Sequence, residues 1–225
     1  MAIAEQISLI NKQLNDSNAR LIVVTKTRSI EELQETYAAG ALEFGENRVQ
    51  EMVEKQAVLP KDILWHQIGH LQTNKVKYIA PFVHLIHSVD SLNLLKEINK
   101  QAAKHERVID CLLQIYIATE ESKFGLDFAE AEALLEDPAF AELQHIRIVG
   151  LMGMASFTAD EEQIRQEFQS LADFFQKLKN NKTGVSTGLV EWIELSMGMS
   201  GDYLIAAALG ATLVRVGSAI YGPRH

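Results

Sequence analysis

The chain has 225 residues, 47% of them hydrophobic, with a formal net charge of -9 and one cysteine, Cys111. The acidic balance disfavours non-specific nucleic-acid binding. One cysteine excludes a disulfide framework within the chain, and the sequence offers no apolar run of about 18 residues for a membrane span.

This length and composition suit one large core, read as a single domain over residues 1–225. The N-terminus lacks the basic, apolar and small-residue succession of a secretory signal, so the expected compartment is the cytoplasm. Ile3, Ile7, Ile10 and Leu14 recur at helical spacing and predict a first helix over 2–15. A buried strand, Leu21 to Val24, then runs into Thr25-Lys26-Thr27. A lysine ending an apolar strand is either a charge reaching water or an amine held for chemistry. Burial disfavours its charged form, and a neutral amine makes Schiff bases with carbonyl compounds.

Ser29 and Glu32 form a capping box for a helix that Gly40 stops. Residues 41–44 read as a strand, and Gly45-Glu46-Asn47 opens a helix ending before Pro60. A strand over 63–68, a short helix over 71–79, a strand over 82–87 and a helix to residue 106 follow. The second half predicts a strand over 108–117, a loop over 119–125 and a helix over 128–135 stopped at Pro138. A strand over 146–151 precedes a long helix carrying Ile164, Phe168, Leu171, Phe175 and Leu178 on one face. Strand 190–195, helix 200–209 and strand 212–216 complete the pattern.

Strict alternation of strand and helix argues for a parallel sheet. Eight such units close into an α/β (β/α)8 barrel of the TIM type, with a doubly wound open sheet as the alternative. No helix is expected after the eighth strand, and the extra N-terminal helix is expected to fill that gap in the outer ring.

Active sites of such barrels lie at the C-terminal strand ends. Those ends carry Lys26, Phe44 to Asn47, Trp65 to His70, His87 to Asp90, Gly150 to Met154, Ser196 to Asp202 and Arg215 to Ser218. Small residues before a helix expected to start near Ser200, with Gly217-Ser218 opposite, form a cup suited to phosphate. Arg215 sits inside an apolar strand and is costly to bury without a partner. An ion pair with Asp202 or Glu194 explains it structurally, and a ligand contact explains it functionally. His66 and His70 lack a third ligand at a supporting spacing, so no metal site is expected. Lys75 and Lys123 read as solvated surface lysines, with a second basic phosphate site as the alternative. A strand-end lysine across one mouth from a phosphate cup fits a ligand with an aldehyde and a phosphate, as in pyridoxal 5'-phosphate (PLP). An arginine beside the cup could face the pyridine nitrogen, keep it unprotonated and weaken the cofactor as an electron sink.

Several motifs together resemble the pyridoxal phosphate homeostasis protein family, the YggS/PROSC type. They are Val24-Thr25-Lys26-Thr27, Phe44-Gly45-Glu46-Asn47, Trp65-His66 through Lys75, and His87-Ser88-Val89-Asp90-Ser91. Lys123-Phe124-Gly125, Gly150-Leu151-Met152, Ser196 to Ser200, and Val214 to Ser218 with Ile220-Tyr221-Gly222 complete the set. The resemblance implies a fold type III barrel, like the N-terminal part of alanine racemases, carrying PLP as a Schiff base on Lys26. It implies Ser200, Gly217 and Ser218 at the phosphate and Arg215 at the pyridine nitrogen. It further implies that Asn47, His66, Ser88 and Met152 line the pocket, with no established catalytic residue. The implied function is buffering or delivery of PLP, with apo PLP-dependent enzymes as acceptors. No apolar stripe in the sequence is left unexplained by the barrel, so a monomer is expected.

Two departures stand out. Tyr116 occupies a position where the family commonly has Asn, and the chain lacks the C-terminal β domain that gives alanine racemases their catalytic tyrosine. Racemisation needs bases on both faces of the substrate α-carbon. A low-activity PLP-dependent racemase would need Tyr116 or Tyr203 as the second base, and ranks as the alternative. A Schiff-base aldolase acting on a sugar phosphate ranks third.

Overall fold

The computed structural model describes residues 2–119, 124–184 and 188–222. The strands are β1 (Arg20–Val24), β2 (Glu43–Glu46), β3 (Leu64–Gln67), β4 (Leu85–Val89), β5 (Ile109–Tyr116), β6 (Ile146–Met154), β7 (Val190–Ser196) and β8 (Leu213–Val216). They form one closed parallel barrel in chain order. Closure is made by β1 and β8, paired from Arg20 with Leu213 to Val23 with Val216. The expected (β/α)8 barrel is therefore observed, and the open-sheet alternative is excluded.

Helices α1 (Ile3–Leu14), α2 (Ile30–Ala38), α3 (Val49–Val58), α4 (Val76–Ile79), α5 (Leu92–Lys104) and α6 (Phe128–Glu136) surround the first strands. They are joined by α7 (Pro138–Ala141), α8 (Glu161–Asn180), α9 (Tyr203–Ala208) and α10 (Ser218–Tyr221). Helix α1 packs on α2, α9 and α10, and Tyr203 Oη donates to Gln13 Oε1 at 2.6 Å, so the N-terminal helix does complete the outer ring. None of the described helices is long and apolar enough to cross a membrane.

Several boundaries differ from the sequence expectation for identifiable reasons. Strand β2 begins two residues late because Gly40, at φ +88°, and Ala41 finish α2. Ala41 N–H donates to Thr36 O and Gly40 N–H to Tyr37 O, a Schellman cap. Strand β4 starts at Leu85 because the Phe82 and Val83 amides both donate back to Ile79 O. Pro138 starts α7 at its first position instead of merely stopping α6. Helix α9 begins at Tyr203, not near Ser200, because Asp202 and Tyr203 first form a turn onto Met199 O. A short helix, α10, does follow the eighth strand, contrary to expectation. The expected 119–125 loop lies partly outside the described residues, as does Lys123.

The apolar core has two compartments. Ile22, Leu85, Leu112, Val149, Met152 and Leu213 fill the barrel interior. The larger shell lies between sheet and helices, where for instance the Trp65 and Phe44 rings meet edge-on at 5.8 Å. The alternation of strand side chains sorts residues between the two compartments, and so decides which polar groups end up inside the barrel.

Candidate functional site

A cavity of about 390 Å³ opens at the C-terminal mouth of the barrel. On β1 the period of two that places Ile22 in the interior carries Val24 and then Lys26 onto the same face, and both line this cavity. Lys26 lies two residues beyond the strand, in a turn closed by Arg28 N–H donating to Thr25 O at 3.1 Å. On β8 the same alternation runs from Leu213 to Arg215 and on to Gly217, placing Arg215 and Gly217 in the wall.

The expected phosphate cup falls on two facing loops. The backbone amides of Gly217 and Ala219 both point at Ser200 Oγ, at 3.2 and 3.3 Å, so donors converge on one spot beside the cavity. A side chain at Gly217 would bring its Cβ to 3.0 Å from Val24 O, closing the gap between β8 and β1. Gly201, next to Ser200, leaves open space. The cup thus depends on loop amides rather than on a long helix starting at Ser200.

Arg215 is 4% exposed, and among the described residues no carboxylate pairs with it within 4.0 Å. The two expected partners are engaged elsewhere. Glu194 holds Arg20 at 2.9 Å, and the Asp202 carboxylate accepts the Met199 amide. The guanidinium instead donates to Ser196 Oγ at 2.6 Å and to Gly153 O at 3.0 Å. Burial pulls its pKa down to about 10, partly offset by the negative charge of Asp202, so it stays cationic at neutral pH.

Beneath Arg215 runs a buried polar chain. Ser196 Oγ lies 2.9 Å from His87 Nδ1, and His87 Nε2 lies 3.0 Å from His66 Nδ1. Burial keeps both imidazoles well below their ordinary pKa. Neighbouring histidines add to the effect on both, with Arg20 near His66 and Arg215 near His87. Both rings are therefore neutral, and the chain supports Arg215 without adding charge. His66 Nε2 ends it with no hydrogen-bond partner.

Lys26, Asn47, Ser200, Arg215, Gly217 and Ser218 meet in one cavity, as expected. Asn47 lines the cavity, and its buried Oδ1 has no hydrogen-bond partner among the described residues. The remaining three expected residues do not line the cavity. His66 lies below it, reaching it only through His87 and Ser196. Met152 belongs to the interior apolar cluster, and Met154 takes its place at the mouth. The cause is the length of β6, which runs three residues past the expected end at Leu151. Ser88 is fully buried on β4 with an unpartnered Oγ, and its neighbour His87 is the residue wired to Arg215. Sequence reasoning missed the roles of His87 and Ser196, although both stood in the motifs. It also passed over Arg28, which lines the cavity and donates to Gly222 O at 2.9 Å. His70 pairs with Asp90 at 3.5 Å, and the described residues contain no cluster of three groups able to hold a metal ion.

Fold and site define a barrel of the alanine racemase N-terminal class, and the chain matches that domain family over residues 1–225. Within the class, the chain belongs to the pyridoxal phosphate homeostasis protein family. It is 38% identical over 207 residues to the pyridoxal phosphate homeostasis protein of Aquifex aeolicus (strain VF5), covering 92% of this chain and 87% of the relative. It is 36% identical over 210 residues to the Escherichia coli (strain K12) protein of the same name, covering 91% and 85%. The solved structure of PipY from Synechococcus elongatus PCC7942 with PLP bound superposes with a TM-score of 0.85 at 35% identity, covering 98% of this chain and all of PipY. Alanine racemase from Bartonella henselae shares the fold alone, with a TM-score of 0.70 at 17% identity over 98% of this chain and 58% of the racemase.

Proposed function

We propose that this protein binds PLP on Lys26 and serves PLP homeostasis by holding the cofactor and delivering it to apo PLP-dependent enzymes. The observation that carries this reading is the convergence of Lys26, Arg215 and the Ser200–Gly217–Ser218 cup on one cavity. Its volume falls in the range of small-molecule sites. Bound there, PLP supplies an aldehyde that condenses with the Lys26 amine, releasing one water, and a ring able to draw electrons from the adduct. Ser200, Gly217 and Ser218 would hold the phosphate, with Ser200 Oγ steadied by the amides of Gly217 and Ala219. Asn47 would line the pocket beside the ring. Arg215, a permanent donor, would face the ring nitrogen and oppose its protonation, which blunts the electron-withdrawing power that catalysis needs.

A carrier is favoured over a racemase because no tyrosine is among the described residues lining the cavity. Tyr203 Oη is bound to Gln13, and Tyr221 Oη lies 2.6 Å from Thr36 Oγ1. Tyr116 ends β5 outside the cavity lining. We read the protein as a cytoplasmic monomer. The test is to load it with PLP and mix it with an apo PLP-dependent enzyme, then incubate it separately with amino acids and follow their chirality. The proposal expects the acceptor to gain activity while amino acids keep their configuration. Multiple turnovers of racemisation per chain would overturn it in favour of the racemase. Arg215→Gln is expected to weaken cofactor retention, and unchanged retention would remove Arg215 from the site.

A further inference from the structure

Lys26 is flanked by a buried charge cluster that touches no part of the cavity. Lys55, on α3, is 5% exposed, and its three ammonium protons meet three acceptors. They are Thr25 O at 2.7 Å, Glu46 Oε1 at 2.7 Å and Glu51 Oε1 at 2.6 Å. Thr25 Oγ1 also donates to Glu46, and the Thr27 amide donates to Glu51. Thr25 is thus tied to α3 and to the end of β2, and Thr27 to α3.

Thr27 carries the second observation. Its φ is +64°, in the left-handed region. That region suits glycine, and a β-branched residue enters it only when its surroundings over-determine the backbone. Here the surroundings are the Glu51 carboxylate on the Thr27 amide and the Arg28–Thr25 turn bond. The turn is what stops β1 and leaves Lys26 on the cavity face with Val24.

We infer that Glu51, held by Lys55, is a positioning residue that fixes the Thr25–Arg28 turn and so aims the Lys26 amine at the cavity. This rests on the reading of Lys26 as the PLP anchor. Glu51 does not line the cavity, so its action runs through the Thr27 backbone. Without the carboxylate, Thr27 relaxes to negative φ, the peptide planes on both sides of it rotate, and the Lys26 side chain leaves its line. Small misplacements of a reacting group are costly because proximity and orientation supply much of the rate.

The test compares wild type with Glu51→Ala, Thr27→Pro, Thr27→Gly and the double variant Glu51→Ala/Thr27→Gly. Each is first checked for folding by circular dichroism and Tm without PLP. Two rates are then measured. One is adduct formation after mixing with PLP, followed by absorbance. The other is acetylation of Lys26 in cofactor-free protein, followed by peptide mass mapping. Glu51→Ala is expected to slow adduct formation about 10- to 100-fold. Thr27→Pro, which fixes φ near –65° while leaving the Glu51–Lys55 pair intact, is expected to do the same. Thr27→Gly alone should match wild type. In the double variant, glycine adopts the left-handed conformation without help and should restore the rate to within about threefold of wild type.

Restoration by glycine separates positioning from electrostatics and from general stability, since glycine replaces neither the charge nor the buried contacts. A double variant as slow as Glu51→Ala, or a Glu51→Ala as fast as wild type, overturns the inference. Should Glu51→Ala fail to fold, a Thr27→Pro chain that reacts at the wild-type rate also overturns it. A wild-type chain that takes no adduct on Lys26 overturns the site reading itself, a different result from a wild-type adduct that Glu51 does not influence.

Discussion

Two buried serines, Ser196 on β7 and Ser88 on β4, make opposite predictions. Ser196 Oγ joins Arg215 Nη1, at 2.6 Å, to His87 Nδ1, at 2.9 Å. Ser88 Oγ is equally buried and has no partner. Replacing Ser196 by Ala orphans a guanidinium N–H, worth about 1.5–3 kcal/mol for a bond to a charged group, and one imidazole nitrogen, worth about 1–3 kcal/mol. The expected loss is therefore about 2.5–6 kcal/mol, a large part of the 5–15 kcal/mol typical of a folded domain. Replacing Ser88 by Ala removes a desolvated hydroxyl that bonds to nothing, and is expected to change stability by less than about 0.5 kcal/mol or to raise it. Urea unfolding at pH 8, where both histidines are neutral in either state, measures the two directly. A cycle with His87→Leu adds a second test. Both single variants break the same Ser196–His87 bond, so the double variant should cost at least about 1 kcal/mol less than their sum. Equal costs for the two serines, or an additive cycle, would refute the assignment of a continuous chain from Arg215 to His66.

Other predictions follow from the same interior. His66 and His87 have folded pKa values well below the ordinary 6.5, so between that value and their folded pKa the unfolded chain binds more protons. Stability is then full above pH 6.5 and falls as pH drops, by about 1.4 kcal/mol per pH unit for each histidine. Urea midpoints from pH 8 to pH 5 should show this fall, and His66→Gln should make it shallower; an unchanged pH dependence would contradict the buried neutral rings. Gly150→Ala would place a Cβ 1.7 Å from Glu194 O between β6 and β7, whereas Gly188, also at positive φ, faces open space. Gly150→Ala should therefore fail to fold or lose more than about 3 kcal/mol, while Gly188→Ala should lose about 1 kcal/mol from backbone strain alone; similar Tm values for the two would count against the barrel register.

The barrel was legible because its signals are local and repeated. Eight short strand-like runs alternating with helical stretches leave few ways to close a sheet, and the Ser29–Glu32 capping box appears where the sequence put it. Boundaries were less legible where a cap or turn consumed residues that look like strand, as at Ala41 and Phe82. The site was legible at its anchors. Lys26 and Arg215 are polar residues at or in apolar strands, and such groups need a reason. Met152 lies in the interior cluster and Met154 at the mouth because of where β6 ends, which the sequence marks weakly. The roles of Ser88 and His87 are not separable in sequence because a motif names adjacent residues without saying which face each takes. The pairing of Lys55 and Glu51 with the Lys26 turn joins a helix face to a loop, and no periodicity encodes such a contact.

The most direct test of the account is borohydride reduction of the PLP-treated protein followed by peptide mass mapping, with Lys26→Ala alongside. The account predicts one pyridoxyl adduct on Lys26, absent in the variant, and none on Lys55, whose amine is fully engaged with Thr25, Glu46 and Glu51. An adduct on another lysine, or none after exposure to excess PLP, would contradict the assignment of Lys26 as the anchor and of the cavity as the PLP site.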